Sequence, residues 1–112
     1  MNAKARTARQ TLRDRTRTQR AAARINRRGT GTLATHCIAA GLGPREARTV
    51  ASSLRKNAAK ANVTGTPGIS YTHGRARTCT RFTPAEVARI AVIYRPRKPA
   101  YKAVAARLAL AA

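Results

Sequence analysis

"LATHCIAAGLGPREARTVASSLRKNAAKANV", residues 33–63, decides how the chain is read. Leu33, Cys37 with Ile38, and Leu42 recur at helical spacing, which predicts a short helix over about 32–41 closed by Gly41 or Gly43. Pro44 then fits a first helical position, where its missing N–H costs nothing. Glu46 fits the third, where a negative charge meets the positive end of the helix dipole. Ala47, Val50, Leu54, Ala58 and Ala61 form one apolar stripe of a second helix over about 44–61. Arg45, Arg48, Ser52, Arg55 and Lys56 fall towards the other side, so this helix is amphipathic with a basic outer face.

Downstream, "TGTPGISYTHGRARTCTRF" (64–82) changes character. Gly65, Pro67 and Gly68 predict a turn region, and the β-branched and aromatic residues on either side of His73–Gly74 predict a short hairpin over about 69–82. Along its second arm Arg75, Arg77, Cys79 and Arg81 alternate with Ala76, Thr78, Thr80 and Phe82, which gives one basic face. "FTPAEV" (82–87) is a helix start: Thr83 caps, Pro84 takes the first position and Glu86 reaches back from the third. Phe82 and Val87 sit where a hydrophobic staple forms. A helix over about 84–94 follows, with Val87, Ile90, Ala91 and Tyr94 on one face, and it must end ahead of Pro96. After "RPRKP" a last helix over about 99–111 carries Tyr101, Val104, Leu108 and Ala111. Val92, Ile93 and Leu110 fall off these stripes and mark a possible partner surface, such as that of a homodimer.

Upstream, "NAKARTARQTLRDRTRTQRAAARINRR" (2–28) spaces Arg6, Arg9, Arg13, Arg17, Arg20, Arg24 and Arg27 by three or four residues, with Arg28 adjoining. As a helix, this puts the seven spaced arginines on one face. The only large apolar residues after Met1 are Leu12 and Ile25, so such a helix is expected to stand away from any core. Two states of the free arm fit: a solvated, disordered basic tail, or a segment that folds along a polyanion. A secretory signal would need an apolar run and a transit peptide an apolar face; the stretch has neither.

The whole chain of 112 residues sets 24 Lys and Arg against three acids, a net charge of +21. Residues 1–28 hold ten of the basic side chains, and the rest are spread along the chain. Charge on this scale opposes compaction and favours polyanions, of which nucleic acid is the natural one because neutralised phosphates release counterions. Arginine outnumbers lysine 19 to 5, and guanidinium forks pair bidentately with phosphate and guanine. No apolar run reaches membrane-spanning length, so the expectation is a soluble cytoplasmic protein with no membrane partner. Two cysteines make no disulfide framework, and Cys37 reads as a small core hydrophobe.

Chemistry is sparse. Glu46 and Glu86 serve helix starts, which leaves Asp14 alone among the acids. Ser52, Ser53 and Ser70 lack His or Asp partners, and "GTGT" lacks the Gly-Lys-Ser/Thr ending of a phosphate loop. His36, Cys37, His73 and Cys79 are possible zinc ligands, yet His36 and Cys37 are adjacent on a helix and no CxxC or HxxxH pair occurs. The expectation is a protein that is not an enzyme and has no metal or cofactor.

The order of short helix, tight turn, amphipathic helix and basic hairpin over about 30–82 resembles a winged helix-turn-helix domain, with Thr49 and Val50 at the places its second helix favours. The fold expected is therefore mainly α with a small β-hairpin. It would be a winged helix-turn-helix-like domain, residues 29–112, behind an arginine-rich arm, residues 1–28, that is helical when bound. The resemblance implies that the second helix enters a DNA major groove, with Arg45, Arg48, Thr49 and Ser52 nearest the bases. Arg55, Lys56, Arg75, Arg77 and Arg81 would meet phosphates or the minor groove, and Arg95, Arg97 and Lys98 would supply another phosphate contact. "FTPAEVARIAVIYRPRKPAYKAVAARL" (82–108) resembles the first two helices of a homeodomain-like motif, but the chain stops where a recognition helix would begin. "NAKARTARQ" resembles the arginine-rich RNA-binding segments of lambdoid phage antiterminators, which fold as helices on RNA hairpins. The Ala/Arg/Thr usage is similar to that of small basic proteins of actinobacterial phages and mobile elements, which implies a nucleoid-associated or phage-encoded setting.

The leading expectation is a double-stranded DNA-binding regulator or accessory factor. The alternatives are an RNA-binding antitermination or ribosome-associated factor that reads with the arm, a phage inhibitor or interaction protein, and a packaging protein.

Overall fold

The computed structural model describes residues 2–110. Five helices and one hairpin follow in the order α1 (Ala3–Arg28), α2 (Leu33–Ala39), α3 (Pro44–Lys60), β1 (Thr66–Thr72), β2 (Arg75–Arg81), α4 (Pro84–Ile93) and α5 (Pro99–Leu110). The protein is mainly helical with a small two-stranded antiparallel hairpin, as the sequence implies. The expected position Ala111 lies outside the described residues.

The helix starts follow the chemistry of their first residues. Thr32 caps α2, its hydroxyl accepting from the Thr35 N–H at 3.2 Å. At α4, Thr83 and Glu86 form a reciprocal capping box: the Thr83 N–H donates to Glu86 Oε1 at 2.9 Å, and the Glu86 N–H donates to Thr83 Oγ1 at 3.2 Å. Phe82 and Val87 are both buried, as a staple requires. α3 has no side-chain cap; Gly43 precedes Pro44 at its start and Glu46 lies in its first turn.

One apolar core joins α2 to α5. Leu33, Cys37, Leu42, Val50, Leu54, Val63, Phe82, Val87, Ile90, Tyr94, Val104 and Leu108 are buried together. Leu54 is wholly enclosed, and burial of such a side chain contributes about 1.5–3 kcal/mol. Cys37 is fully buried, which pushes its thiol up to about 12. Burial also raises the Tyr94 phenol, against the opposing effect of the Ser53 side chain on α3.

The hairpin turns at His73 and Gly74, both with positive φ (53° and 75°), the signature of a type I′ turn whose twist matches the strands. Thr72 and Arg75 close the turn, so pairs alternate from there and Pro67–Thr80 falls at a non-hydrogen-bonded position. This corrects the expectation of a turn at Pro67 and Gly68. Both lie inside β1, because a proline without an N–H costs no ladder bond there and the outer strand tolerates it. Gly65 does sit at the bend, with φ 71°; a Cβ there would stand 2.7 Å from the Thr80 methyl and 2.9 Å from the Arg81 carbonyl. Gly31 and Phe82 exchange two backbone hydrogen bonds (3.0 and 2.8 Å), which tie the base of the hairpin to the connector ahead of α2.

The second correction concerns α1. It does not stand away from the body: Ala21 and Ile25, four residues apart, are buried as its last turns lie along α2. A helix needs only one apolar turn to dock when small alanines let the partner backbone come close. Leu12, by contrast, remains 61% exposed. The Asn2 side chain caps α1, accepting from the Ala5 N–H at 2.8 Å, and Gly29 in the left-handed region ends it.

Candidate nucleic-acid interface

The α3 stripe fixes which residues face out. With Ala47, Val50, Ala51, Leu54 and Ala58 buried, Arg45, Arg48, Thr49, Ser52, Arg55 and Lys56 are left exposed on a convex face. Two hydroxyls on this helix turn back onto its backbone: Thr49 Oγ1 donates to the Arg45 carbonyl at 3.4 Å and Ser53 Oγ to the Thr49 carbonyl at 3.5 Å. These bonds are long and weak, and Thr49 is open to exchange its own for an external acceptor. Arg45, Arg48, Arg55 and Lys56 make no hydrogen bond or ion pair among the described residues.

The hairpin register sets Arg75, Arg77 and Arg81 opposite Thr72, Ser70 and Thr66, so the three arginines share one face. Arg75 and Arg77 are exposed. Arg81 is half-buried; its guanidinium lies over Gly68 and donates to the Ile69 carbonyl at 3.0 Å, which fixes its direction. Arg55 shares a groove of about 570 Å³ with Thr78, Cys79 and Thr80, so α3 and β2 face one another across it.

Along α1, the arginines divide. Arg13, Arg17, Arg20 and Arg24 line a furrow against Thr35 and Ile38 of α2, and Arg24 and Arg28 line another with Thr30, Ser70, Tyr71 and Arg81. Arg17 is held by Asp14 at 3.2 Å, an exposed pair of small energetic weight. Arg6, Arg9 and Arg27 lie on exposed α1 surface outside these furrows. On the α4–α5 loop the three basic side chains are not equivalent. Arg95 turns back to the Val92 carbonyl at the end of α4 and Lys98 sits 5.2 Å above the Tyr101 ring, so Arg97 alone of the three makes no hydrogen bond, ion pair or ring contact among the described residues.

His36 and Cys37 are buried, whereas His73 is exposed at the hairpin turn, and among the described residues no three His, Cys, Asp or Glu side chains converge. His36 is instead a structural pin: its Nε2 lies 2.8 Å from the Phe82 carbonyl, at the junction of α2, Gly31 and the hairpin base. Because a carbonyl only accepts, the Nε2 carries the proton. Burial pushes the imidazole below its usual range, against the opposing effect of backbone bonds to Phe82 and Gly31. Sequence reasoning missed the hydroxyls of Thr30, Thr35 and Ser70 and the exposed ring of Tyr71, which border the arginine furrow. Only the helix-to-hairpin packing brings them there. No helix is long and apolar enough to cross a membrane.

No protein-family model matches the chain, and no curated protein or solved structure matches it.

Proposed function

We propose that the protein binds nucleic acid without catalysing a reaction, and that its ligand is double-stranded DNA. One observation carries the reading: α3 buries one complete face and presents Arg45, Arg48, Arg55 and Lys56, without internal partners, on the other. A convex helix with that face fits a major groove, where arginine forks meet guanine edges. The tight Gly41–Gly43 connection to α2 and the arginine-bearing hairpin beside α3 support a winged helix-turn-helix-like arrangement. In it α3 reads, while Arg75 and Arg77 hold phosphate. The biological setting that suits this chemistry is a regulator or accessory factor of a bacterial nucleoid or of a phage.

The test is a salt-titrated competition on the full chain between duplex DNA, hairpin RNA and heparin. Duplex that outcompetes heparin at moderate salt is the expected result; equal displacement by both refutes the reading. A second reading is favoured by α1, a continuous 26-residue helix with an arginine face. Should hairpin RNA win, and lose its advantage when residues 2–20 are removed, the protein is an RNA-binding factor that reads with α1.

A further inference from the structure

The two furrows beside α1 share Arg24 and Thr35, so they adjoin and together make one track. It starts at Leu12 and Arg13, follows α1 to Arg28, and ends against Ser70, Tyr71 and Arg81 of the hairpin. The stretch along α1 alone is about 24 Å long at the helical rise. One wall is an arginine row and the other carries the hydroxyls of Thr30 and Thr35. Arg13, Arg20, Arg24 and Arg28 have no hydrogen bond or ion pair with any described residue. Tyr71, 78% exposed, borders the hairpin end.

We propose that this track holds one unpaired DNA strand, its phosphates against Arg13, Arg20, Arg24 and Arg28 and a base stacked at Tyr71. The shape decides between strand and duplex. Elements that read a duplex are convex and enter its grooves, as the outer face of α3 can. A concave basic track bordered by an exposed aromatic ring suits a single strand, whose backbone follows the charge and whose bases are free to stack. Both features lie on one molecule, so the ligand that satisfies both is a duplex that opens into a single-stranded tail. This inference rests on the nucleic-acid reading and adds a second site to it.

The test compares two double variants that remove equal charge, Arg20→Ala with Arg24→Ala, and Arg48→Ala with Arg55→Ala. Binding of the full chain to oligo-dT of about 12 nucleotides, to blunt duplex and to the same duplex with a T tail is followed by anisotropy at fixed salt. The α1 pair is expected to weaken oligo-dT about tenfold and to abolish the preference for the tailed over the blunt duplex, while blunt duplex changes little. The α3 pair is expected to do the reverse. Tyr71→Ala, which alters no charge, is expected to weaken oligo-dT about tenfold. Equal loss on all ligands from both pairs overturns the proposal, as does full retention of oligo-dT binding by the α1 pair or by Tyr71→Ala. Tighter binding of oligo-U than of oligo-dT overturns the choice of DNA. The duplex reading fails separately, if wild-type protein prefers no duplex over heparin; oligo-dT binding that still depends on Arg20 and Arg24 then leaves the track standing.

Discussion

α1 and α3 are both arginine-bearing helices, yet the protein uses them in opposite ways. α3 buries a face along its whole length, from Ala47 to Ala58, and its arginines are what remains. α1 buries only Ala21 and Ile25, near one end, and most of its 26 residues stand in solvent. The contrast shows that anchorage does not require a continuous apolar stripe: one turn suffices to aim a charged rod, whereas a core helix buries a face along its whole length. It also separates two roles for arginine. On α3 the outward direction is set by packing beneath each residue, while on the first turns of α1 it is set by helix geometry alone.

The strongest way to break the contrast is to attack the core stripe. Leu54→Ala should cost about 3–5 kcal/mol, enough to unfold much of the domain, because the enclosed site has no solvent to collapse against; urea denaturation followed by far-UV dichroism measures it. Ile25→Ala should cost about 2 kcal/mol, the low end for such a change, since it anchors one helix at the margin of the core. Its distinctive sign is regional: amide exchange should speed up through α1 while α3 to α5 keep their protection.

Arg48→Ala sharpens the comparison on the binding side. If its guanidinium meets a base edge, it should cost about 1–3 kcal/mol on a preferred duplex site and far less on random duplex, read from competition isotherms. An Arg77→Ala change should weaken every duplex sequence alike and lower the salt slope by about one.

α2 lies between the two helices, and His36 gives it a pH dependence. The imidazole is neutral in the fold, with its pKa below the unfolded value of 6.5, so folding is favoured fully above that pH. As pH falls below about 6.5 the unfolded chain takes up a proton that the folded chain resists, and stability declines through the lowered folded pKa. Thermal midpoints measured from pH 7.5 to 5 should fall for the wild type and stay flatter for His36→Gln.

Much of this was legible in the residues themselves. The Thr83–Glu86 box, the Pro44 start and the His73–Gly74 turn are local rules, and local rules survive packing. The α3 stripe was legible because its period matches the helix. What stayed hidden depended on partners distant in the chain. Pro67 is tolerated in a strand only because the turn sets the pairing phase, and Ile25 becomes an anchor only because α2 offers a surface. Arg81 and Arg95 looked like free charges, yet both bond to backbone carbonyls, which no sequence pattern announces. The arginine track was half legible: its α1 wall follows from spacing, and its opposite wall comes from the connector, α2 and the hairpin.

The smallest expected effect is the most discriminating test of how α1 is built. Ala8 lies on the exposed first half of α1, far in sequence from Ala21 and Ile25. Ala8→Gly should cost that segment about 0.5–1 kcal/mol of helix propensity. A helix coupled to the core throughout would pass the full cost to global unfolding. A rod anchored at one end melts locally instead, so the denaturation midpoint should not move while amides near Ala8 exchange faster. A shifted midpoint with uniform exchange would mean that the first turns of α1 have a packing partner of their own, and the distinction between the two arginine helices would then be one of degree.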